Sequence, residues 1–339
     1  MKYSFKNDYT ELGYDSILTV LSQINREQLA GYGDDKYCVQ ARSRIKEMLN
    51  NANVDIHFVV GGTQANLLVI SSILKPYESV IAVESSHICI HEAGAIESNG
   101  HKINVANSID GKLTIQGIKQ ILDLHTDEHM VKPRMVFVSN LTEIGTVYTK
   151  NELKEISDFC KMNNLLLYLD GARLGVALTS EVNDLTLEEL CSLVDVFYIG
   201  GTKNGAMLGE AIVIVNDKIK ENFRYMMKQK GALTAKSGLI GIQFNELFKN
   251  DLYFKLAKNA NRMAVKIAKS IERLGYKFLC PYMTNQIFPI LPNDLIFKLQ
   301  EKYDFYIWQR FDDDNSVIRL VTSWATNEEA VDEFISDLK

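Results

Sequence analysis

Seven short runs rich in aliphatic and β-branched residues punctuate the stretch from Asp55 to Val215, and they constrain the fold more than anything else in the chain. They are Ile56–Val60, Val80–Val83, Ile103–Val105, Met135–Val138, Leu165–Leu169, Val196–Ile199 and Ala211–Val215. Most are near-continuous apolar segments, the pattern of strands covered on both faces. Connections of helical period lie between them, such as Glu152–Met162 and Leu185–Leu193. The rhythm predicts an α/β domain on a mostly parallel seven-stranded sheet. One connection breaks it: Gly201–Glu210 holds three glycines and, at roughly ten residues, is short for a parallel crossover. The strand at Ala211–Val215 is therefore expected to run antiparallel.

From Phe244 the pattern changes. A long amphipathic helix is expected over Leu252–Leu274, followed by strand-like pieces at Lys277–Leu279, Gln286–Ile290 and Ile318–Ser323. Helices are expected at Asn293–Lys302 and Thr326–Leu338. The expected division is an N-terminal arm (1–33) with a helix near Ser16–Ser22, a large α/β domain (34–245) and a small α+β domain (246–339). A chain of 339 residues is long enough for two domains sharing a seam.

Apolar residues make up 46% and charged residues 24%, a globular balance. The net charge of −6 argues against nucleic acid or an anionic membrane as partner. The stretch Arg224–Lys236, with Lys228 and Lys230, is a local exception that a solvated helix face would explain. Five scattered cysteines without C-x-x-C fit a reducing compartment. The polar N-terminus lacks an apolar h-region, and runs such as Leu67–Leu74 are too short for a bilayer. The expectation is a cytoplasmic protein.

In open α/β sheets, ligands bind outside the carboxyl ends of the strands. The unusual residues of this chain gather there. Gly61, Gly62 and Thr63 follow Val60, and His87 follows Val83. Asp170 follows Leu169, while Thr202 and Lys203 follow Ile199. Two glycines leading into a helix make an anion site from free N–H groups and the helix dipole, although a plain strand-to-helix turn needs the same residues. A carboxylate ending a buried strand needs a cation or hydrogen bonds. A protonated pyridine nitrogen would serve Asp170, and so would an ion pair with Arg173. Lys203 lies among four glycines; desolvated, its amine is able to form an imine. The i, i+4 pair His87 and His91 and the cluster His125, Glu128 and His129 have spacings that could place metal ligands on one helix face. No H-E-x-x-H is present, and no metal is expected.

Taken in order, G-G-T-Q-A-N, E-S-S-H-I-C-I-H-E-A-G, Y-L-D-G-A-R-L and G-G-T-K-N-G resemble the threonine aldolases, pyridoxal-phosphate (PLP) enzymes of aspartate-aminotransferase fold type I. The resemblance runs from Phe5-Lys6-Asn7-Asp8 to Ile318–Trp324. It implies retro-aldol cleavage of a β-hydroxy amino acid to glycine and an aldehyde, with Lys203 as the Schiff-base lysine and Asp170 on the pyridinium. It implies His87 stacked on the cofactor ring, Gly62 and Thr63 with Thr202 around the cofactor, and Arg173 with Arg319 gripping the substrate carboxylate. Tyr32 and Lys236 match positions that reach a neighbouring subunit's site, implying a homo-oligomer, a dimer or a homotetramer. Other reactions on the same cofactor (β-elimination, transamination, racemisation) share Lys203 and Asp170, and a catalytically silent PLP-fold protein is a further alternative.

The departures lie around the substrate. Asn7 stands where relatives carry serine. The family's E-N-T-H-N loop reads Ser139-Asn140-Leu141-Thr142-Glu143, so Thr142 takes the histidine's place in contacting the β-hydroxyl. Lys236 replaces an arginine. The base for the β-hydroxyl stays open between His87 and a water held by Glu92 or Thr142.

Overall fold

Strand side chains sort themselves between two cores, and that alternation builds the large sheet. In a computed structural model describing residues 2–339, Phe58, Val136, Val138, Leu167, Leu169 and Phe197 join one apolar cluster. Their chain neighbours Val59, Met135, Phe137, Leu166, Tyr168 and Val196 join another on the opposite face. Helices Lys36–Met48 and Gly238–Leu247 cover the first face. Helices Gly62–Ile73 and Phe223–Gln229 cover the second. Double coverage is why the strands read as continuous apolar runs.

In spatial order the strands are Asp55–Val59, Glu210–Ile214, Val196–Gly200, Leu166–Asp170, Lys132–Ser139, Glu78–Val83 and Ile103–Ala106. Glu210–Ile214 pairs antiparallel with both neighbours, as its short connection predicts, and the other pairings are parallel. Six strands therefore end at one rim, and the seventh begins there. The residue at that beginning is Glu210.

The C-terminal part packs the 22-residue helix Leu252–Arg273 against a small antiparallel sheet. Strand Asn315–Val321 is its centre, flanked by Gln286–Ile287, Ile290–Pro292 and Tyr306–Arg310. Met263, Ile267 and Ile271 of the helix meet Ile318, Leu320 and Phe334 there. Strand Tyr306–Arg310 is unforeseen in the sequence although Phe305-Tyr306-Ile307-Trp308 is a run of β-forming residues; its residues are mostly exposed, so the alternation of a half-buried strand is missing. The piece expected at Lys277–Leu279 reduces to a single bridge between Phe278 and Pro289. At the start of the chain, Tyr3–Ser4 pairs in parallel with Tyr303–Asp304 and Phe5 enters the same core. The expected N-terminal helix spans Asp15–Ile24. No helix among the described residues is long and apolar enough to cross a membrane.

One glycine fixes the rim. Gly171 follows Asp170 where the chain passes against the next strand, and a Cβ there would lie 1.8 Å from the Tyr198 carbonyl oxygen. Backbone cannot yield as a flexible side chain does, so the segment would have to move and carry Asp170 with it. Gly171→Ala is expected to lower stability by about 3 kcal/mol or to abolish soluble folding. Urea denaturation checks this, and a variant within about 0.5 kcal/mol of wild type would refute the close-approach argument.

Candidate active site

A cavity of about 700 Å³ opens at this rim, between the large sheet and strands Tyr306–Arg310 and Asn315–Val321. The strand-end residues singled out in the sequence converge on it: Gly61, Gly62, Thr63, His87, Asp170, Arg173, Thr202, Lys203 and Arg319 all line its wall. A slightly larger hollow of about 760 Å³ beside Lys2, Tyr303 and Asp337 lies outside this constellation. It is open, and Lys302 and Asp337 on its wall pair with each other.

Asp170 is buried and held by three donors, with acceptor capacity left on Oδ2. Its Oδ1 accepts from the Tyr198 hydroxyl (2.6 Å) and the Ala172 N–H (2.9 Å), and Oδ2 accepts from Asn66 Nδ2 (3.2 Å). Asn66 is itself held, since the Tyr168 hydroxyl donates to its Oδ1 (2.7 Å) and its Nδ2 also reaches Glu92 Oε1 (2.7 Å). His87 Nδ1 lies 2.8 Å from that same Glu92 oxygen. One connected network thus fixes the carboxylate and the imidazole together. Burial pulls the His87 imidazole down, but the Glu92 hydrogen bond and the charges of Glu143 and Asp170 prevail and raise its pKa overall.

Lys203 sits just beyond strand Val196–Gly200. Burial, then the nearby Arg173 guanidinium, hold its amine below the ordinary lysine range, against opposing pulls from Asp8, Glu143 and Asp170. A lysine shifted this way is a better nucleophile near neutral pH. Gly62 opens helix Gly62–Ile73, and a Cβ on it would stand 3.1 Å from the Tyr198 hydroxyl. Gly61, Gly62 and Thr63 line the cavity at the start of that helix, where first-turn N–H groups lack intrahelical partners, a cradle for an anion.

The two arginines differ. Arg173 is buried and committed: its Nε donates to Asp8 Oδ2 (2.6 Å) and its Nη2 to Asp8 Oδ1 (3.0 Å). Arg319 donates to the Lys6 carbonyl (3.2 Å), but its buried Nε has no partner. Its guanidinium lies 5.1 Å from the Tyr306 ring and 5.4 Å from the Trp308 ring. The bulge that leaves Trp308 unpaired in its strand helps form this clamp.

Four expected site residues lie off the wall of their own chain's cavity. Asn7 folds back locally, its Oδ1 accepting from the Tyr9 N–H and the Thr10 hydroxyl, both at 3.0 Å. Thr142 is buried in a turn, its Oγ1 2.7 Å from Thr146 Oγ1. Tyr32 and Lys236 are exposed and belong to one surface. The Tyr32 N–H donates to the Ala235 carbonyl (3.2 Å), and Lys228 stands 4.7 Å from the Tyr32 ring centroid. Tyr32 holds a left-handed backbone with φ of 61°, a strained choice for a bulky residue.

The wall also carries Tyr9, His91, Glu143, Tyr198 and Glu210, which the sequence reading left out of the site. Glu210 escaped because it begins a strand rather than ending one. Glu143 escaped because the one-residue step from Thr142 decides which side chain enters the cavity. The antiparallel direction of Ala211–Val215, already legible in its short connection, was the signal for Glu210.

Fold and site together define a member of a known family. The model of the beta-eliminating lyase family matches residues 13–292, and the chain belongs to that family. It is 32% identical to a low specificity L-threonine aldolase of Pseudomonas sp. strain NCIMB 10558, over 94% of this chain and 92% of that one. Among solved structures it is similar to a threonine aldolase of Leishmania major, with 46% identity, a TM-score of 0.98 and coverage of 99% and 98% of the two chains. An aromatic aminotransferase of Pyrococcus horikoshii shares the fold at a TM-score of 0.72 and 19% identity, over 99% of this chain and 94% of that one.

Glu210 carries a measurable signature. It is buried, and desolvation pushes its carboxyl up to about 7 despite the hydrogen bonds from Thr202 and the Gly201 N–H and the charge of Lys203. A carboxyl raised in the folded state favours folding fully below the unfolded pKa near 4.5, and loses that advantage as pH rises through about 7. In the cofactor-free protein, Glu210→Gln should flatten this dependence and gain on wild type as pH rises from about 5 to 8, by on the order of 3 kcal/mol at the top. Urea melts across that window check it; a parallel offset at all pH values would contradict the assignment.

Proposed function

We propose that this chain is a PLP-dependent aldolase that cleaves L-threonine and L-allo-threonine to glycine and an aldehyde. The observation that carries the reading is one cavity holding a lysine with a lowered amine pKa and a buried aspartate fixed by three donors with one acceptor site open. Membership of the beta-eliminating lyase family and likeness to threonine aldolases over nearly the whole chain support it.

The residues fit the cofactor. Lys203 would hold it covalently through its amine. The helix start at Gly62, with Thr63 and Thr202, would receive its phosphate, and His87 would lie against its ring. Asp170, held by three donors, would face its pyridine nitrogen. When bound, the cofactor supplies an electron sink for a bond broken at the substrate Cα.

This chain's own groups decide which bond that is. Arg319, clamped between Tyr306 and Trp308 with a free buried Nε, is the natural receiver of the substrate carboxylate. Arg173 adds positive charge from behind while its fork stays on Asp8. A fixed carboxylate restricts rotation about the bond to Cα, and a small set of orientations leaves Cα–Cβ aligned for cleavage. Asn7 shapes the turn that carries Tyr9 to the wall, and Thr142 shapes the turn that carries Glu143.

The working unit in this proposal is a homo-oligomer in the cytoplasm. Tyr32 and Lys236 would complete a neighbour's site, since they share one exposed basic surface away from their own cavity. Lysine at 236 would serve the cofactor phosphate as a point charge.

Two measurements test the proposal. Borohydride reduction of the PLP-loaded protein followed by peptide mass spectrometry should place a phosphopyridoxyl label on Lys203, and Lys203→Ala should lose both the label and the visible absorbance. A label on another lysine would overturn the assignment. Inactive Lys203→Ala and Lys236→Ala chains, mixed under subunit exchange, should regain part of the aldehyde-forming activity. A fully active Lys236→Ala protein, or a fully active monomer, would remove the shared site.

A further inference from the structure

We propose that Glu143 is the catalytic base for the substrate β-hydroxyl, a role that rests on the aldolase reading above. Three carboxyl groups line the cavity: Glu143, Asp170 and Glu210. Asp170 spends its oxygens on Tyr198, Ala172 and Asn66. Glu210 is buried against the Gly201 N–H. Glu143 alone of the three makes no hydrogen bond or salt bridge with any described residue, although it is only partly exposed. An uncommitted carboxylate in a cavity is an acceptor awaiting a donor.

The loop is built to present it. Thr142 Oγ1 accepts from the Thr146 N–H (3.1 Å), the Thr142 N–H donates to the Thr146 carbonyl (3.0 Å), and Gly145 takes a left-handed φ of 82°. Thr142 is thereby turned inward, and the next side chain faces the cavity. The competing bases are weaker candidates. Glu92 is fully buried behind His87 and shares one oxygen between His87 and Asn66. His87 is bound to Glu92, and that contact favours its charged form. Glu143 also lies close enough for its charge to be felt at both imidazoles: burial lowers the His91 pKa overall and the Glu143 charge opposes that fall, while at His87 the Glu143 charge adds to the net rise.

The step balances. Glu143 takes the hydroxyl proton as the O–H bond breaks, and the oxygen electrons form the aldehyde carbonyl while Cα–Cβ breaks. The bond pair stays with Cα, which gains one proton to give glycine, so one proton leaves oxygen and one arrives at carbon.

The test separates hydroxyl chemistry from everything else in the site. Glu143→Gln in the PLP-loaded protein should cut kcat for L-threonine by about 10²-fold or more. Glycine has no hydroxyl, so its α-hydrogen exchange in D2O and its binding, read by visible absorbance, should stay within about threefold. Independently of turnover, NMR titration of labelled histidines should show the His87 and His91 pKa values both lowered. Threonine cleavage within about threefold of wild type, or equal loss of cleavage and glycine exchange, would overturn the role of Glu143. So would His91→Asn losing cleavage where Glu143→Gln does not. A wild-type protein that exchanges glycine but cleaves no β-hydroxy amino acid would overturn the aldolase reading and this inference with it, an outcome distinct from the others.

Discussion

The Asp8–Arg173 ion pair ties this structure together. Asp8 is completely buried, and its carboxylate receives two donors from Arg173 and a third from Asn285 at 3.0 Å. Burial opposes both charges, yet their mutual attraction prevails, lowering the Asp8 pKa and raising that of Arg173. Removing one partner of such a pair strands the other charge in a medium that cannot solvate it. Three parts of the chain meet at this point. Asp8 comes from the N-terminal segment, Arg173 from beyond a strand of the large sheet, and Asn285 from the approach to the small sheet. The Val321 N–H donates to the Phe5 carbonyl (2.8 Å), extending the seam. The N-terminal residues are thus a lace between two cores, and the cavity opens beside the knot.

This arrangement also sets the cavity's charge. With Arg173 balanced by Asp8, Arg319 is a cationic fork on the wall that has no paired carboxylate and keeps its Nε free. Burial, then the neighbouring Arg173, lower its pKa, against the opposing charges of Glu143 and Asp8. A substrate carboxylate supplies what is missing, so binding and charge neutralisation are one event.

Much of the fold was legible because burial writes itself into sequence where both faces of a strand are covered. The seven runs matched the seven strands, and a connection of about ten residues sufficed to reverse one of them. Legibility failed where burial does. Tyr306–Arg310 is largely exposed, with Tyr306, Ile307 and Trp308 on the cavity wall, so its run of β-forming residues shows no alternation of buried and exposed positions to mark the clamp on Arg319. Tyr3–Ser4 is two residues long, and its pairing depends on the partner strand rather than on its own pattern. In the site, the strand-end rule found Gly62, His87, Asp170 and Lys203 because all follow co-directed strands. It passed over Glu210, which reaches the same rim from a strand running the other way.

That reversed strand explains more than a missed residue. A sheet of seven parallel strands would present only carboxyl ends to the cavity. Reversing one strand places an amino end beside them, and with it a carboxyl group at the first position of a strand whose residues are all buried. Glu210 meets Gly200 across one pairing and Val59 across the other, so it stands between the turn that carries Lys203 and the turn that forms the Gly62 cradle. Desolvation raises its pKa to about 7, so it carries less negative charge near neutral pH than an ordinary carboxylate would. The lysine and the cradle come from co-directed strands, and the reversed one, imposed by a connection too short for a crossover, sets the Glu210 carboxyl between them.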